Sequence, residues 1–274
     1  TSGLELGSVS MATYAFRERE MILDVFQAVT GLRMNPGYFR PGGLSMDLPA
    51  EAEGKIRELL RVLPGRFDEY EALLSANPIW VQRNRGIGIL SAADAIAYGV
   101  TGPPLRASGV DHDLRRKQPY LAYDRFDFEV PMGENGDCYD RYLVRMRELR
   151  QSLRIIEQAL DGMPSGPVRA QGKLSPPDRD RINVSMEALI HHFKLYTDGP
   201  HVPAGEVYVP VESPRGELGY YVASDGRGRP WRVRIRPPSL MNLQAMPLMC
   251  PGHLLADLIA ILASVDPVMG DVDR

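Results

Sequence analysis

Residues 253–264 form the segment that most restricts how this chain can fold. They read HLLADLIAILAS, and at helical spacing almost every face carries apolar side chains. A helix that is apolar all round is typical of a protein interior, so we expect this one to run through the core. The residues that follow, 266–274, include three aspartates and one arginine. The helix would therefore bring a charged tail into the core or beside it.

The charges of this tail need partners if they lie near apolar surroundings. Terminal residues usually fray unless other parts of the fold hold them. Spacing alone favours a solvated ion pair between Arg274 and a neighbouring aspartate, because structural ion pairs outnumber functional ones.

Length and composition set outer limits on the function. The chain has 274 residues and a formal net charge of −3, so no basic excess indicates nucleic-acid binding. Its longest apolar run is well short of the ~20 residues that cross a bilayer. The two cysteines, Cys138 and Cys250, form neither a CxxC pair nor a disulfide framework, which fits a reducing compartment.

Periodicity predicts a mainly helical chain with one small sheet. The predicted helices cover 4–29, 50–76, 92–98, 138–160, 185–196 and 253–264, with Pro64-Gly65 expected to kink or divide the second. Period-two patterns predict strands near 80–90 and at 126–130, and a three-stranded antiparallel meander over 206–236. Residues 33–49 and 240–252 read as loops. The fold class that follows is α+β.

Three features with polar or reactive side chains can each be explained by a structural role, without catalysis or metal binding. The run Arg17–Glu20 reads as a solvated helix face, or as an ion-pair network if it lies between packed helices. Asp111-His112-Asp113, close to Arg115, reads as a solvated turn or a salt-bridged loop, because adjacent residues rarely converge on one metal ion. Cys138, at the start of a helix, reads as structural. We find no dinucleotide, phosphate-loop, nucleophile-elbow or iron–sulfur motif.

Short segments along the whole chain carry a resemblance to one family. They read FRERE (16–20), TGLRM (30–34), YFRPGG (38–43), DLP (47–49), DLR (113–115), QPY (118–120), GDCYDRY (136–142), QSLRII (151–156), SMEALIHHFK (185–194), GELG (216–219), SDG (224–226) and GDVDR (270–274). The combination resembles the D subunits of the proton-pumping NADH:quinone oxidoreductases, respiratory complex I. That family is related to the large subunit of nickel–iron hydrogenases.

The resemblance implies an architecture and a missing part. It implies long packed helices arranged as in the hydrogenase large subunit, with a small antiparallel sheet near 206–236. We expect residues 1–274 to form a single domain that lacks the family's N-terminal region. That region carries a quinone-binding His on a hairpin loop and the Tyr that pairs with it.

The resemblance also assigns site residues. Glu5 matches a position where many members have an Asp that hydrogen-bonds the quinone-binding His, so it is expected to relay protons. Asn35 stands where many members have a His near the partner's terminal iron–sulfur cluster. Arg33 and Arg40 match residues near the subunit interface that shape the quinone site and its proton path, and with Asn35 they are assigned to the quinone cavity and its coupling. The same is implied for the charge network of Arg17, Glu18, Arg19 and Glu20.

The C-terminal tail can be compared with the metal-binding C-terminus of the related hydrogenases. Their C-terminus reads Asp-Pro-Cys-x-x-Cys-x-x-His, whereas this chain has Val268, Asp271 and Arg274 at the Cys, Cys and His positions. A nickel–iron site needs thiolate ligands, so no metal is expected. The resemblance instead implies that Val268, Met269, Asp271 and Arg274 line a quinone cavity. It reverses the preference for a solvated Arg274, which is now expected to be buried with a carboxylate partner.

The implied function is that of a peripheral-arm subunit of NADH:quinone oxidoreductase. The chain would form the quinone-reduction site with an iron–sulfur partner and couple electron transfer to proton translocation. It would bind no cofactor itself, would not be catalytic alone, and would contact other peripheral-arm and membrane-arm subunits. Its expected location is the cytoplasmic face of the bacterial cell membrane. The alternatives are a subunit of a hydrogenase-like or ferredoxin-linked membrane complex, and a scaffold subunit without its own activity.

Overall fold

The computed structural model describes residues 2–170 and 172–274 and confirms an α+β fold. Its helices are α1 (Ser2–Glu5), α2 (Val9–Thr30), α3 (Ala50–Leu74), α4 (Pro78–Asn84), α5 (Ala92–Ala97), α6 (Pro103–Ala107), α7 (Leu114–Lys117), α8 (Cys138–Asp161), α9 (Arg179–Ile182), α10 (Met186–Thr197), α11 (Pro238–Gln244), α12 (Met246–Met249), α13 (Leu255–Val265) and α14 (Met269–Asp273).

The sheets are small and antiparallel. Strands β1 (Phe39–Arg40) and β2 (Gly43–Leu44) make a short hairpin within the long loop after α2. Strands β3 (Gly205–Ser213), β4 (Gly216–Ser224) and β5 (Arg232–Arg236) form the predicted meander in the order β3-β4-β5.

The body is organised around α8, which contributes to three core clusters, one of them through Tyr139, which packs with Leu74 and Trp80. On one side Met146 packs with α2 and α3, through residues such as Val25 and Phe67. At its other end Cys138 packs with Leu90, and this second cluster is completed by α13. Asp137 caps the start of the helix, because its carboxylate accepts the Asp140 amide at 2.7 Å, and Gly162 caps its end.

Helix α2 ends as its sequence predicts. Gly31 adopts φ 76°, and its amide bonds the carbonyl of Gln27. Such a left-handed C-terminal residue suits glycine, which has no Cβ to clash. Helix α3 continues through Pro64 as one element, so of the two predicted alternatives, a kink or a division, the division is wrong. Pro64 lies on an exposed face of the helix.

The strand predicted near 80–90 is wrong, because this region contains α4. Asn77 caps the helix by accepting the Ile79 amide at 3.0 Å, and Pro78 occupies the first turn. Proline at that position loses no intrahelical hydrogen bond. Trp80 is buried on the inner side of the helix. The local capping signal therefore outweighs the β-branched and aromatic content of the segment.

The strand predicted at 126–130 is also absent from the described chain. The segment is extended, but its amides bond side chains of α8 instead of a neighbouring strand. The amide of Asp127 donates to Gln158 Oε1 at 2.8 Å, and that of Glu129 donates to Gln151 Oε1 at 3.1 Å. The loop predicted for 240–252 is wrong in its first part, since α11 and α12 run through it. Strand β5 ends at Arg236, and Pro238 begins α11.

Helix α13 is only half buried, contrary to the expectation of an interior helix. Ile261 has no exposed surface and Val265 is buried beside it, whereas Leu255 is 84% exposed. Leu258, Ile259 and Leu262 are exposed along the same outer face. The helix covers the core with one apolar face and presents the other apolar face outward.

Candidate functional site

The C-terminal tail is held to the body by contacts of Asp266 and Asp271. Asp266 ends α13 in a left-handed conformation, with φ 54°. Arg215, in the turn before β4, holds it twice. Its Nε donates to the Asp266 carbonyl at 3.0 Å, and its Nη2 lies 3.3 Å from Asp266 Oδ2. The direction of the tail is therefore set by an ion pair to the meander.

A second set of contacts ties the tail to α11. Asp271 Oδ2 accepts the Ser239 amide at 2.9 Å, and the Val268 amide donates to Ser239 Oγ at 3.4 Å. Asp271 is half-buried through this contact, whereas Val268 and Met269 are exposed. The tail thus presents two exposed apolar side chains and one anchored carboxylate.

The expected burial of Arg274 is wrong. This residue is exposed, and it forms no ion pair with any carboxylate in the part of the chain that the structure describes. It follows the single turn of α14 with φ 72°. Hydration of an exposed guanidinium avoids the desolvation cost of burying it. Asp271, not Arg274, carries the polar anchoring of the tail.

Glu5 lies at the same end of the molecule as the C-terminal helix. It is the last residue of α1, which packs against both α2 and α13. Ser2 Oγ donates to the Ala263 carbonyl at 3.1 Å, across nearly the whole sequence. The Glu5 side chain is exposed. The structure therefore joins the helix of Glu5 to the helix that carries the tail.

Arg33, Asn35 and Arg40 lie at the opposite end of α2. That helix has 22 residues and spans roughly 33 Å, so this group does not join Glu5 in one site. Arg33 folds back onto α2, where it pairs with Glu20 and lies 2.6 Å from Asp24. Asn35 and Arg40 are exposed, and Arg40 Nε donates to the Gly37 carbonyl at 3.2 Å.

The Arg17–Glu20 run is partly a network and partly a solvated face. Glu18 is buried, accepts a hydrogen bond from Tyr70 and lies 2.7 Å from Arg17 and 3.3 Å from Arg66. Burial opposes ionisation of Glu18, but the Tyr70 and Arg17 hydrogen bonds prevail and lower the pKa of its carboxyl. Arg19 is exposed and lies over the Phe16 ring.

The largest buried charge cluster was not predicted as a site. Arg106, 1% exposed, lies 2.7 Å from Glu148 on α8 and 2.8 Å from Glu212 on β3. Asp113 approaches the same guanidinium at 3.8 Å and pairs with Arg115 at 2.6 Å. The salt-bridged loop predicted around Asp113 is therefore confirmed, and it belongs to a cluster that joins helices to the sheet.

The pKa values in this cluster diverge. Burial opposes ionisation of Asp113, but hydrogen bonds and charge from Arg115 lower the pKa of its carboxyl. For Glu148 burial prevails over the nearby arginines and raises its pKa. Burial lowers the pKa of Arg145, one turn earlier on α8, to about 10. The Nη2 atom of Arg145 is buried without a hydrogen-bond partner among the described residues.

Arg141 is completely buried beside the C-terminal helix. Its Nε donates to Ser264 Oγ at 3.0 Å, and its Nη2 donates to the Gly88 carbonyl at 2.8 Å. The Gly88 amide in turn donates to His253 Nε2 at 3.3 Å. Gly88 has φ 62°, and a Cβ there would lie 2.7 Å from Ile261 Cγ1. These contacts fix both ends of α13 against the body.

A signal for the buried Arg141 and the partly buried Arg145 was present in the sequence. Arg141, Arg145 and Glu148 recur at spacings of four and three, which places them on one helix face. Two arginines four residues apart repel one another on a solvated helix. Their presence on one face indicates partners from elsewhere in the fold, although spacing cannot identify those partners.

One surface groove is lined by none of the predicted site residues. It has a volume of about 930 Å³ and runs between α10 and residues 173–177, with His191, Arg181 and Leu174 among its lining side chains. Within residues 2–170 and 172–274, no group of three or more His, Cys, Asp or Glu side chains is placed to hold a metal ion. None of the described helices combines the length and apolarity needed to span a membrane.

Fold and site together define a helix-rich α+β chain with a folded C-terminal tail and buried arginine–carboxylate clusters. The sequence pattern of the family described as "Respiratory-chain NADH dehydrogenase, 49 Kd subunit" matches residues 5–274. The chain belongs to this family.

Curated relatives agree with that assignment. The chain is 53% identical to the NADH-quinone oxidoreductase D subunit of Acidothermus cellulolyticus, with 100% of this chain and 66% of that protein covered. It is 53% identical to NADH-quinone oxidoreductase subunit 4 of Thermus thermophilus, covering 100% and 67%. For the D subunit of Geotalea uraniireducens the identity is 52%, covering 99% and 70%. The chain thus spans about two thirds of the length of these relatives.

Proposed function

We propose that this chain serves as a peripheral-arm subunit of an NADH:quinone oxidoreductase. In this role it helps to form the quinone-reduction site and couples quinone reduction to proton translocation. The observation that carries the proposal is the family match over residues 5–274, together with relatives more than half identical along the whole chain. On its own, the chain does not catalyse the reaction.

The arrangement around the tail supports a quinone site at this end of the molecule. Val268 and Met269 supply exposed apolar surface, and Asp271, on the same tail, is held by Ser239. An apolar wall with a few fixed polar groups is the usual lining of a small-molecule site. Glu5, on the helix packed against α13, supplies a carboxylate for proton transfer to a quinone-binding group.

The residues Arg33, Asn35 and Arg40, at the C-terminal end of α2, support contact with a partner subunit. Arg40 and Asn35 are exposed on the loop after α2, and Arg33 is held to that helix by Glu20 and Asp24. We assign this surface to the iron–sulfur subunit, whose cluster would deliver electrons to the quinone. The buried Glu18 network stabilises the α2–α3 pair that carries this surface.

The remaining partners follow from the same assignment. The chain would contact other peripheral-arm subunits and the membrane arm, and it would lie at the cytoplasmic face of the bacterial membrane. It would bind no cofactor of its own, while quinone would be the substrate of the shared site.

The test replaces Glu5 in the assembled complex. Glu5→Ala removes the carboxylate and is expected to lower NADH:quinone turnover by about 10- to 100-fold, because proton transfer by a positioned group contributes at about that scale or above it. Turnover and proton translocation would be measured on the purified, reconstituted complex.

Glu5→Asp provides the matched control. It keeps the carboxylate and shortens the side chain to the residue that the family resemblance implies, so it should retain most of the turnover. Unchanged turnover and pumping in Glu5→Ala would remove Glu5 from the mechanism. A wild-type chain that assembles without supporting quinone reduction would instead indicate a scaffold role.

A further inference from the structure

Arg215 holds the residue at which the C-terminal tail leaves α13. Its Nε donates to the Asp266 carbonyl at 3.0 Å, and its Nη2 lies 3.3 Å from Asp266 Oδ2. One guanidinium thus contacts both the backbone and the side chain of this residue. Asp266 has φ 54° and ψ 56°. A residue with a side chain persists in this left-handed conformation where its surroundings hold it there.

The backbone of Arg215 is itself fixed by the helical body. The buried Asn242 side chain, on α11, donates from Nδ2 to the Arg215 carbonyl at 3.1 Å. The neighbouring Gly216 has φ 137°, and a Cβ there would lie 2.5 Å from Thr101 Oγ1. The Thr101 hydroxyl also accepts the Glu217 amide at 3.0 Å. The turn between β3 and β4 therefore presents the guanidinium from a closely packed base.

The Asp266 turn lies directly before the apolar pair of the tail. Val268 follows Asp266 by two residues, and Val268 and Met269 are 39% and 66% exposed. The residue between Asp266 and Val268 is proline, whose fixed φ leaves little freedom to absorb a change in the turn. A different conformation at Asp266 would therefore carry both apolar side chains to other positions. Beyond them, the Ser239 contacts hold the tail at its other end.

We propose that Arg215 is a positioning residue of the quinone site, which places Val268 and Met269 against the quinone through its hold on Asp266. It does not itself contact the quinone. The inference rests on the proposed function, in which these two side chains line the quinone cavity. An apolar wall contacts the quinone equally before and during reduction, so displacing the wall weakens binding without slowing the chemical step. Loss of Arg215 therefore raises the KM for quinone and leaves kcat nearly unchanged.

The test is Arg215→Met in the assembled complex. NADH:quinone kinetics would be measured with a short-chain ubiquinone or menaquinone, whichever the wild type reduces faster. The quinone KM should rise by about tenfold, the low end of what one lost apolar contact is worth, while kcat changes by less than about twofold. NADH oxidation by ferricyanide, an acceptor that does not need the quinone site, reports assembly.

Arg215→Lys is the conservative variant. It keeps the positive charge but lacks the planar fork that contacts two oxygens of Asp266 at once. Its quinone KM should lie between the wild-type value and that of Arg215→Met. This variant also provides the readout should Arg215→Met assemble poorly.

Arg83→Met is the matched control, because Arg83 makes the same pair of contacts at the other end of α13. Its Nη2 donates to the Ala256 carbonyl at 3.2 Å and lies 3.1 Å from Asp257 Oδ1. The two arginine side chains are similarly exposed, at 36% for Arg83 and 33% for Arg215. Arg83→Met removes an equivalent ion pair from the same helix without touching the tail. Its quinone KM should stay within about twofold of the wild-type value.

A double-mutant cycle tests whether Arg215 acts through Asp266. Asp266→Asn removes the carboxylate charge, while asparagine still tolerates the left-handed conformation. The quinone KM should therefore rise, but less than in Arg215→Met. Added to Arg215→Met, the same change should cause no further rise, because the contact is already lost. Effects that multiply would show that Arg215 acts on the quinone independently of Asp266, and would overturn its positioning role.

The remaining contrary results are distinct from one another. A lower kcat with an unchanged KM in Arg215→Met would place Arg215 in the chemical step and overturn the inference. An equal rise of KM in Arg83→Met would indicate general loosening of α13 and would also overturn it. Normal quinone reduction in the wild type, with unchanged kinetics in both Arg215 variants, would overturn the inference and leave the proposed function standing. A wild-type complex that assembles without reducing quinone would overturn both.

Discussion

Glu18 shows how a single carboxylate is kept charged between two helices. Burial would favour its protonated form, but the Tyr70 hydroxyl and the guanidinium groups of Arg17 and Arg66 surround it. The partner hydroxyl is affected in turn, since burial and the Glu18 hydrogen bond raise the pKa of Tyr70. Near neutral pH the pair is therefore a neutral phenol and a carboxylate.

Removal of the Tyr70 hydroxyl should destabilise the chain. Tyr70→Phe leaves the buried Glu18 short of one donor, and we expect the free energy of unfolding to fall by about 1–3 kcal/mol. Denaturant unfolding of the purified chain would measure this change. Tyr196→Phe, at an exposed tyrosine, should change stability by less than about 0.5 kcal/mol. Equal effects in the two variants would contradict a specific role for the Tyr70 hydroxyl.

The pH dependence of stability should change in the same variant. The folded-state pKa of Glu18 is lowered, so its contribution to stability is present above the unfolded pKa and is lost as pH falls through the folded value. The unfolded chain binds more protons in that window. Tyr70→Phe removes one cause of the lowered pKa, so its unfolding free energy should decline less steeply on acidification. Denaturant unfolding at a series of acidic pH values would test this slope.

At the scale of single residues, the sequence indicates which charged residues can form a network, but it does not identify their partners. The Arg17–Glu20 run allowed a network, and the structure confirms one at Glu18 because α3 supplies Tyr70 and Arg66. Arg106 was not singled out, because its partners Glu148 and Glu212 lie 42 and 106 residues away. A local pattern contains no information about such distant pairings.

At the scale of an element, helix α13 shows that the sequence can predict a helix without predicting which of its faces is buried. Both of its faces are apolar, so periodicity could not determine which face is buried. The structure buries the face that includes the small residues Ala260 and Ser264, and with them Asp257, whose carboxylate accepts the Leu254 amide at 3.0 Å and lies 3.1 Å from Arg83. Small residues allow close approach to α8, whereas the larger leucines remain outside.

Two substitutions on α13 should have very different effects. Ile261→Ala opens a cavity in a fully buried position and should cost about 2–5 kcal/mol of unfolding free energy. Leu258→Ala lies on the exposed face and should cost less than about 1 kcal/mol in the purified chain. Chemical denaturation of the two variants would compare them directly. Similar losses would show that the outer face is buried in the chain itself.

The elements predicted wrongly share a physical cause. Residues 126–130 have the alternation of a strand, but the acceptors for their amides are the side chains of Gln151 and Gln158 on α8. Residues 80–90 have strand-like composition, but the Asn77 cap and Pro78 begin a helix. In both regions the hydrogen-bond partners of the backbone amides determined the structure. The Asn77 cap could have been recognised from the sequence, whereas the glutamine side chains of α8 could not.

At the scale of the whole molecule, the Arg106 cluster attaches the meander to the helical body. Glu212 on β3 bonds Arg106 on α6, while its second oxygen accepts the Leu114 amide at 3.3 Å. The Glu212 amide donates to the Tyr120 hydroxyl at 3.0 Å. The α+β class and the meander were predicted from period and turn residues, but this attachment was not, because it depends on contacts between distant segments.

Removing the Arg106 guanidinium should loosen the attachment of the meander to the helical body. Arg106→Met leaves buried carboxylates unpaired and should cost about 3–5 kcal/mol. Amide hydrogen exchange should accelerate in β3 and β4 before it accelerates in α3. Arg154→Met, which breaks an exposed pair with Asp127, should cost at most about 1 kcal/mol. Uniform acceleration of exchange in Arg106→Met would indicate general destabilisation instead of local release of the sheet.

The contact between Arg141 and Ser264 also has a consequence for biosynthesis. The two residues are 123 positions apart, and Arg141 is fully buried only when α13 lies against it. A ribosome adds about 5–20 residues per second, so a nascent chain would hold this arginine uncovered for on the order of ten seconds. During that interval the core cluster around Cys138 and Leu90 lacks Ile261 and Val265. The core cluster around Cys138 and Leu90 can therefore form completely only after residues 255–265 have been synthesised.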